Sequence, residues 1–307
     1  ETYLEFSREE EKLPGEIIAK QMGVPYDTRT NMDVLEDLRD SGVEAYPNVL
    51  PASFAVSNGL TSDKDRIYPL GTISNSTTIL SKESGFYPII ETDEHGFNNP
   101  KGLYNKNKID IILTGDSFTE GYSVHSNETI SAVLRQLDFN VISVGKGGSG
   151  SLIELAALKE YAEPLKAKIV LWLYWVNDLV DLEREMKSSI LKKYLNEDDY
   201  SQNLISRQEE IDGVLIDYVQ SKWEKEKERE REKLLIIPVI KITKLYNLRM
   251  RINLVSKPKH KPTPTPISIL SIFRDILQKS NQMVLGWGGK MYFVYLPSFE
   301  RYSTGNE

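Results

Sequence analysis

From Lys108 onward, short β-branched runs alternate with amphipathic stretches, and this rhythm constrains the fold more than any other feature of the chain. Residues 109–114 read as a strand, followed by a helix over 128–137, a strand over 140–144, a helix over 152–162 and a strand over 168–174. Strands separated by single helices require right-handed crossovers. The expected fold is therefore α/β with a parallel sheet. The pattern resumes late in the chain, with a helix over 267–282 and an apolar strand over 291–296.

Two regions break the rhythm. Residues 1–107 are expected to form an N-terminal extension of polar-amphipathic helices followed by short β-like pieces at 66–70, 77–80 and 86–91, punctuated by Pro, Gly, Ser, Thr and Asn. Residues 108–307 are expected to form the α/β domain, with a long helical insertion at 179–265. Within that insertion eleven of the twelve residues 222–233 are charged, the pattern of a solvated helix laced by ion pairs. Residues 257–266 are proline-rich and read as a linker.

The net charge of −7 excludes a general nucleic-acid binder, because no basic excess exists to neutralise phosphates. The absence of cysteine excludes disulfides and thiolate metal sites. No apolar run reaches membrane-spanning length; residues 234–240 come nearest and contain Pro238. The chain begins at Glu1 rather than a methionine, which reads as a processed protein or a piece of a longer one, with room for a membrane anchor upstream of Glu1.

The turns after the first three strands carry the chemistry. The first is Gly115-Asp116-Ser117, the second Gly145-Lys146-Gly147-Gly148-Ser149-Gly150, and the third Trp175-Val176-Asn177-Asp178. In an open parallel sheet the carboxyl ends of the strands share one edge, where ligands bind. Ser117, at a strand-to-helix corner, suits a nucleophile whose attack creates an oxyanion. Its own amide, the Gly148 amide and the Asn177 carboxamide suit the oxyanion's donors.

Gly115-Asp116-Ser117, the glycine turn at Gly148 and Asn177-Asp178 together resemble the first three sequence blocks of the SGNH (GDSL) hydrolases. The resemblance implies a flavodoxin-like three-layer α/β/α sandwich and an esterase or acyl-hydrolase activity. It makes Ser117 the nucleophile, with Ser117, Gly148 and Asn177 as the oxyanion hole. The segment 93–100, Asp-Glu-His-Gly-Phe-Asn-Asn-Pro, resembles the lead-in to the serine block of membrane-anchored bacterial members that act on surface glycans. An extracytoplasmic, membrane-associated protein acting on an acyl ester, glycan-linked, is the expectation that follows. Two positions depart from the pattern. Ser143 stands where the family's glycine block has asparagine, and the Asp-x-x-His tetrad that supplies the family's base occurs nowhere in the 307 residues. The expected base lies beyond Glu307.

Among the other candidates, Asp116 and Asp178 read as caps that fix their turns, since no histidine or carboxylate cluster completes a metal site. No cofactor is expected. His125 reads as a surface residue beside the site, His95 as part of a loop turn and His260 as part of the linker. Trp175 is a candidate for a sugar-binding wall. Two other functions compete: nucleotide binding, because residues 145–150 match G-x-G-x-x-G after a strand, and a non-catalytic glycan-binding or assembly protein on the same scaffold.

Overall fold

The computed structural model of the chain describes residues 14–106, 108–243 and 267–298. The described part of the extension begins with helices α1 (Pro14–Met22) and α2 (Asn31–Asp40). A capping box sets the start of α2: Thr30 Oγ1 accepts from Asp33 N at 3.2 Å while Asp33 Oδ2 accepts from Thr30 N at 2.8 Å. Five short strands follow, β1 (Ala45–Pro47), β2 (Leu60–Thr61), β3 (Arg66–Ile67), β4 (Thr77–Ile79) and β5 (Ile89–Glu91). β4 pairs parallel to β1 and antiparallel to β5, and β2 and β3 form an antiparallel pair.

The main sheet contains β6 (Ile111–Thr114), β7 (Val141–Ser143), β8 (Ile169–Tyr174) and β9 (Lys290–Tyr295), in the order β7-β6-β8-β9 and parallel throughout. Between them run α3 (Ser117–Glu120), α4 (Ile130–Gln136), α5 (Ser151–Ala157), α6 (Asp178–Glu185), α7 (Ser189–Asn196), α8 (Gln208–Thr243) and α9 (Ile267–Gly286). Alternation along the strands divides the core. Ile112, Ile142, Val170 and Trp172 join a large cluster with Leu155 and Ile276 of the helices and with Phe54, Tyr68 and Phe97 of the extension. Ile111, Leu113, Val141 and Leu173 face the other way, where Leu134 of α4 packs on them.

The structure is thus mixed α/β around a parallel sheet, with apolar residues of the extension built into the same core. The four strands of the parallel sheet sit within two residues of their sequence positions, whereas in the extension the readings 66–70 and 86–91 shrink to Arg66–Ile67 and Ile89–Glu91. Two expectations change. Ser117 does not lie at the start of the helix read over 128–137; it opens α3, a separate single turn, and α4 begins only at Ile130. The Gly121 turn, at φ 76°, separates them. Among the described residues the insertion holds three helices rather than one stretch, with breaks at Met186–Ser188 and before Leu204.

The charged run is only partly solvated. Ile211, Leu215 and Val219 recur every four residues and bury the first turns of α8. Beyond them Trp223 lies under the Arg39 guanidinium, 4.6 Å from the ring centre, and Lys227 pairs with Glu36 of α2 at 3.2 Å. The linker at 257–266 and its His260 lie outside the described residues. Among the described residues, no helix is long and apolar enough to cross a membrane.

Candidate functional site

Because β6 lies between β7 and β8, the three turns that follow these strands emerge side by side on one rim. The middle turn is built on Gly115. Its φ is +150°, and a Cβ there would lie 2.2 Å from Thr119 Oγ1 and 2.6 Å from the Leu173 carbonyl oxygen. Only glycine lets β6 pass this close to α3 and β8. Asp116 then caps α3, its Oδ1 accepting from Phe118 N at 3.0 Å, and Ser117 is half-buried at the first helical position.

The glycine turn is tied to the serine turn on two levels. Lys146 N donates to the Gly115 carbonyl at 3.2 Å. Glu120, the last residue of α3, is buried and accepts from Gly147 N at 2.6 Å, from Asn48 Nδ2 at 2.9 Å and from the buried Lys146 ammonium. Lys146 also donates to Asn48 Oδ1 at 2.7 Å. A lysine in a glycine-rich loop is therefore not a free cation here. It is neutralised inside the protein, where pairing is what makes a buried charge tolerable.

Gly148 adopts φ +68°, and its carbonyl accepts from Arg184 Nη2 at 3.0 Å. Arg184 also reaches Asp181 Oδ1 at 2.7 Å, and Asp181 Oδ2 accepts from Asn177 Nδ2 at 3.0 Å. A continuous bonded path thus joins the glycine turn to the asparagine turn. The Asn177 carboxamide also opposes the rise of the Asp116 carboxyl's pKa, which burial pushes up to about 6. Phe118 and Trp175 close the arrangement at the surface, with ring centres 4.9 Å apart. The structure brings Ser117, Gly148 and Asn177 to neighbouring turns on one rim.

Carboxyl groups crowd the interior behind this rim. Asp178 Oδ2 accepts from Trp175 N at 3.0 Å, yet burial, followed by the nearby Asp116, pushes its carboxyl up to about 9. Glu154 of α5 is fully buried; burial raises it well above the usual range, and Asp178, Asp116 and Glu185 add to the rise. Glu185 is raised by burial to about 7, while accepting from Gly150 N at 2.5 Å and Leu152 N at 2.9 Å. It occupies the N-terminus of α5, where an anion gains most from the helix amides. No cluster of three or more histidine, aspartate or glutamate ligands able to hold a metal occurs among the described residues.

The segment 93–100 braces the site from below. Asp93 Oδ1 accepts from His95 N and Phe97 N, both at 2.9 Å, and Asp93 Oδ2 accepts from Asn99 Nδ2 at 2.7 Å. Asn99 pairs with Ser143 through both backbone groups, and Asn98 Nδ2 donates to the Glu120 carbonyl at 2.8 Å. Ser143 Oγ donates to the Thr119 carbonyl at 3.0 Å. His95 Nδ1 faces Gln208 Oε1 at 3.2 Å, and the His125 ring stacks on Phe86 at 4.4 Å.

Sequence reasoning missed Glu120, Lys146, Asp181, Arg184 and Glu185 as residues of this site. The one local signal was the lysine inside a glycine loop, whose burial demands an acid. No protein-family model matches the chain, and no curated protein matches it.

Proposed function

We propose that this protein is an SGNH-type serine acyl-ester hydrolase or acyltransferase with a flavodoxin-like sandwich, acting on an ester of a surface glycan outside the cytoplasm. The observation that supports this most is the common rim, where Ser117 at a helix start flanks the Gly148 turn and the Asn177 carboxamide. Ser117 Oγ attacks the acyl carbon and its proton passes to a histidine base. The amides of Ser117 and Gly148 and the Asn177 carboxamide hold the oxyanion. The alcohol leaves with the proton, and water or a second hydroxyl resolves the acyl-enzyme.

Among the described residues no histidine hydrogen-bonds Ser117: His95 faces Gln208, and the His125 ring stacks on Phe86. The family pattern places the base in an Asp-x-x-His block. A fluorophosphonate probe, which reacts with activated serines, should label the protein at Ser117 and leave Ser117→Ala unlabelled. Labelling that persists in Ser117→Ala would remove the assignment.

The nucleotide reading is disfavoured by the loop itself. The amides of Gly147 and Gly150 are taken by the carboxylates of Glu120 and Glu185, and Lys146 is paired with Glu120. A pyrophosphate would need those same donors. The lack of a described histidine bonded to Ser117 favours one second reading, a non-catalytic glycan-binding protein. It predicts saturable glycan binding with no phosphonate labelling.

A further inference from the structure

A cavity of about 250 Å³ opens beside Ser117 and is walled by Phe118, Tyr122, Ile130, Glu83 and Glu128. Its floor comes from α3 and the turn into α4, but Glu83 belongs to the N-terminal extension. The extension is fastened there by three contacts: Ser123 Oγ donates to Glu83 Oε2 at 3.0 Å, Ser84 Oγ donates to the Ser123 carbonyl at 2.7 Å, and Phe86 stacks on His125. Glu128 is anchored in turn, its Oε2 accepting from His125 N at 3.2 Å.

Both carboxylates are therefore placed by the fold rather than swinging free. Each has acceptor capacity left beyond the bond that anchors it. Among the described residues, no basic side chain lines this cavity. Lys82, next in sequence to Glu83, is bonded to the Arg29 carbonyl and lies over the rings of Tyr26 and Tyr87, and Lys146 is paired with Glu120. Aromatic faces beside fixed acceptors suit a ring that offers C–H faces to the aromatics and hydroxyl donors to the carboxylates. A carboxylate or phosphate on that ring would meet two like charges and no counter-charge.

Building on the acyl-hydrolase reading, we infer that this cavity receives an uncharged, hydroxyl-bearing ring that carries the ester, and that Glu83 and Glu128 exclude rings bearing a carboxylate or phosphate. The volume fits one ring rather than a polymer segment, lying below the roughly 300–1,000 Å³ of pockets for drug-sized ligands.

The test uses the Ser117→Ala protein, which leaves esters intact, and calorimetric titration with two probes: partly O-acetylated cellobiose and O-acetylated diglucuronate. The neutral probe should bind at least about tenfold more tightly, and added salt should narrow the difference. Glu83→Gln combined with Glu128→Gln should bring the two probes to within about threefold. Both glutamates are exposed, so the fold should survive the change. Equal or tighter uronate binding, no binding of the neutral probe, or a preference unchanged in the double variant would overturn the inference. Phosphonate labelling of Ser117 in the unaltered protein reports separately on the nucleophile, so the two failures are distinguishable.

Discussion

Asn177 and Asp181 are joined by a hydrogen bond of 3.0 Å, one helical turn apart, and Asp181 is held in turn by Arg184. This pairing fixes the carboxamide on the rim, and Arg184 extends it to the Gly148 carbonyl. Under the proposed function, Asn177→Ala should lower the turnover of p-nitrophenyl acetate by about a hundred- to a thousandfold, the usual loss for one oxyanion donor. Asp181→Ala, which frees the carboxamide without removing it, should cost about tenfold, chiefly in kcat. Initial rates on proteins with unchanged circular dichroism decide both. A larger loss in the Asp181 variant than in the Asn177 variant would contradict the positioning role.

The Glu120–Lys146 pair is buried on both sides. Removing one partner strands a charge in the interior, so Lys146→Met should destabilise the protein by about 3–5 kcal/mol. Replacing both, Glu120→Gln with Lys146→Met, should recover part of that loss, although Gly147 N loses its charged acceptor. Urea unfolding of the three variants gives the comparison. An additive double variant would show that the two charges do not depend on each other.

The carboxyls behind the rim give stability a definite pH dependence. Their folded pKa values lie above the unfolded ones, to about 6 for Asp116, about 7 for Glu185 and about 9 for Asp178. The folded protein therefore binds more protons than the unfolded chain between about pH 4 and those values. Their contribution is fully present below about pH 4 and is lost as pH rises through about 6 to 9. Asp93, raised by burial to about 7, acts in the same direction. Tm should fall between pH 6 and 9, and Glu154→Gln, which takes away a neighbouring carboxyl, should flatten that fall. A Tm that rises across this interval would refute the assignment.

Trp223 holds the charged part of α8 against α2 through Arg39. Trp223→Ala should cost about 1–3 kcal/mol, from lost apolar contact and the cation–π term. Exchange of the amides of α8 beyond residue 223 should rise more than that of the turns carrying Ile211 and Leu215, which stay buried.

The sheet and the three turns were legible because their signals are local. β-branched runs end at glycines, and each run is separated from the next by one helix. The short α3 was not legible, because α3 and its αL stop at Gly121 fit inside what reads as a lead-in to a single longer helix.

The sequence alone determined the parallel alternation, the placing of Ser117, Gly148 and Asn177 at successive strand ends, and the exclusion of thiolate chemistry, since each depends on residue type and nearby spacing. Tertiary structure decided which acid answers which donor. Glu120 meets Asn48 across 72 positions, Glu185 meets Gly150 across 35, and Glu83 meets Ser123 across 40. A buried polar group must find a partner, but its identity depends on how distant elements pack, and no periodicity along the chain carries that information.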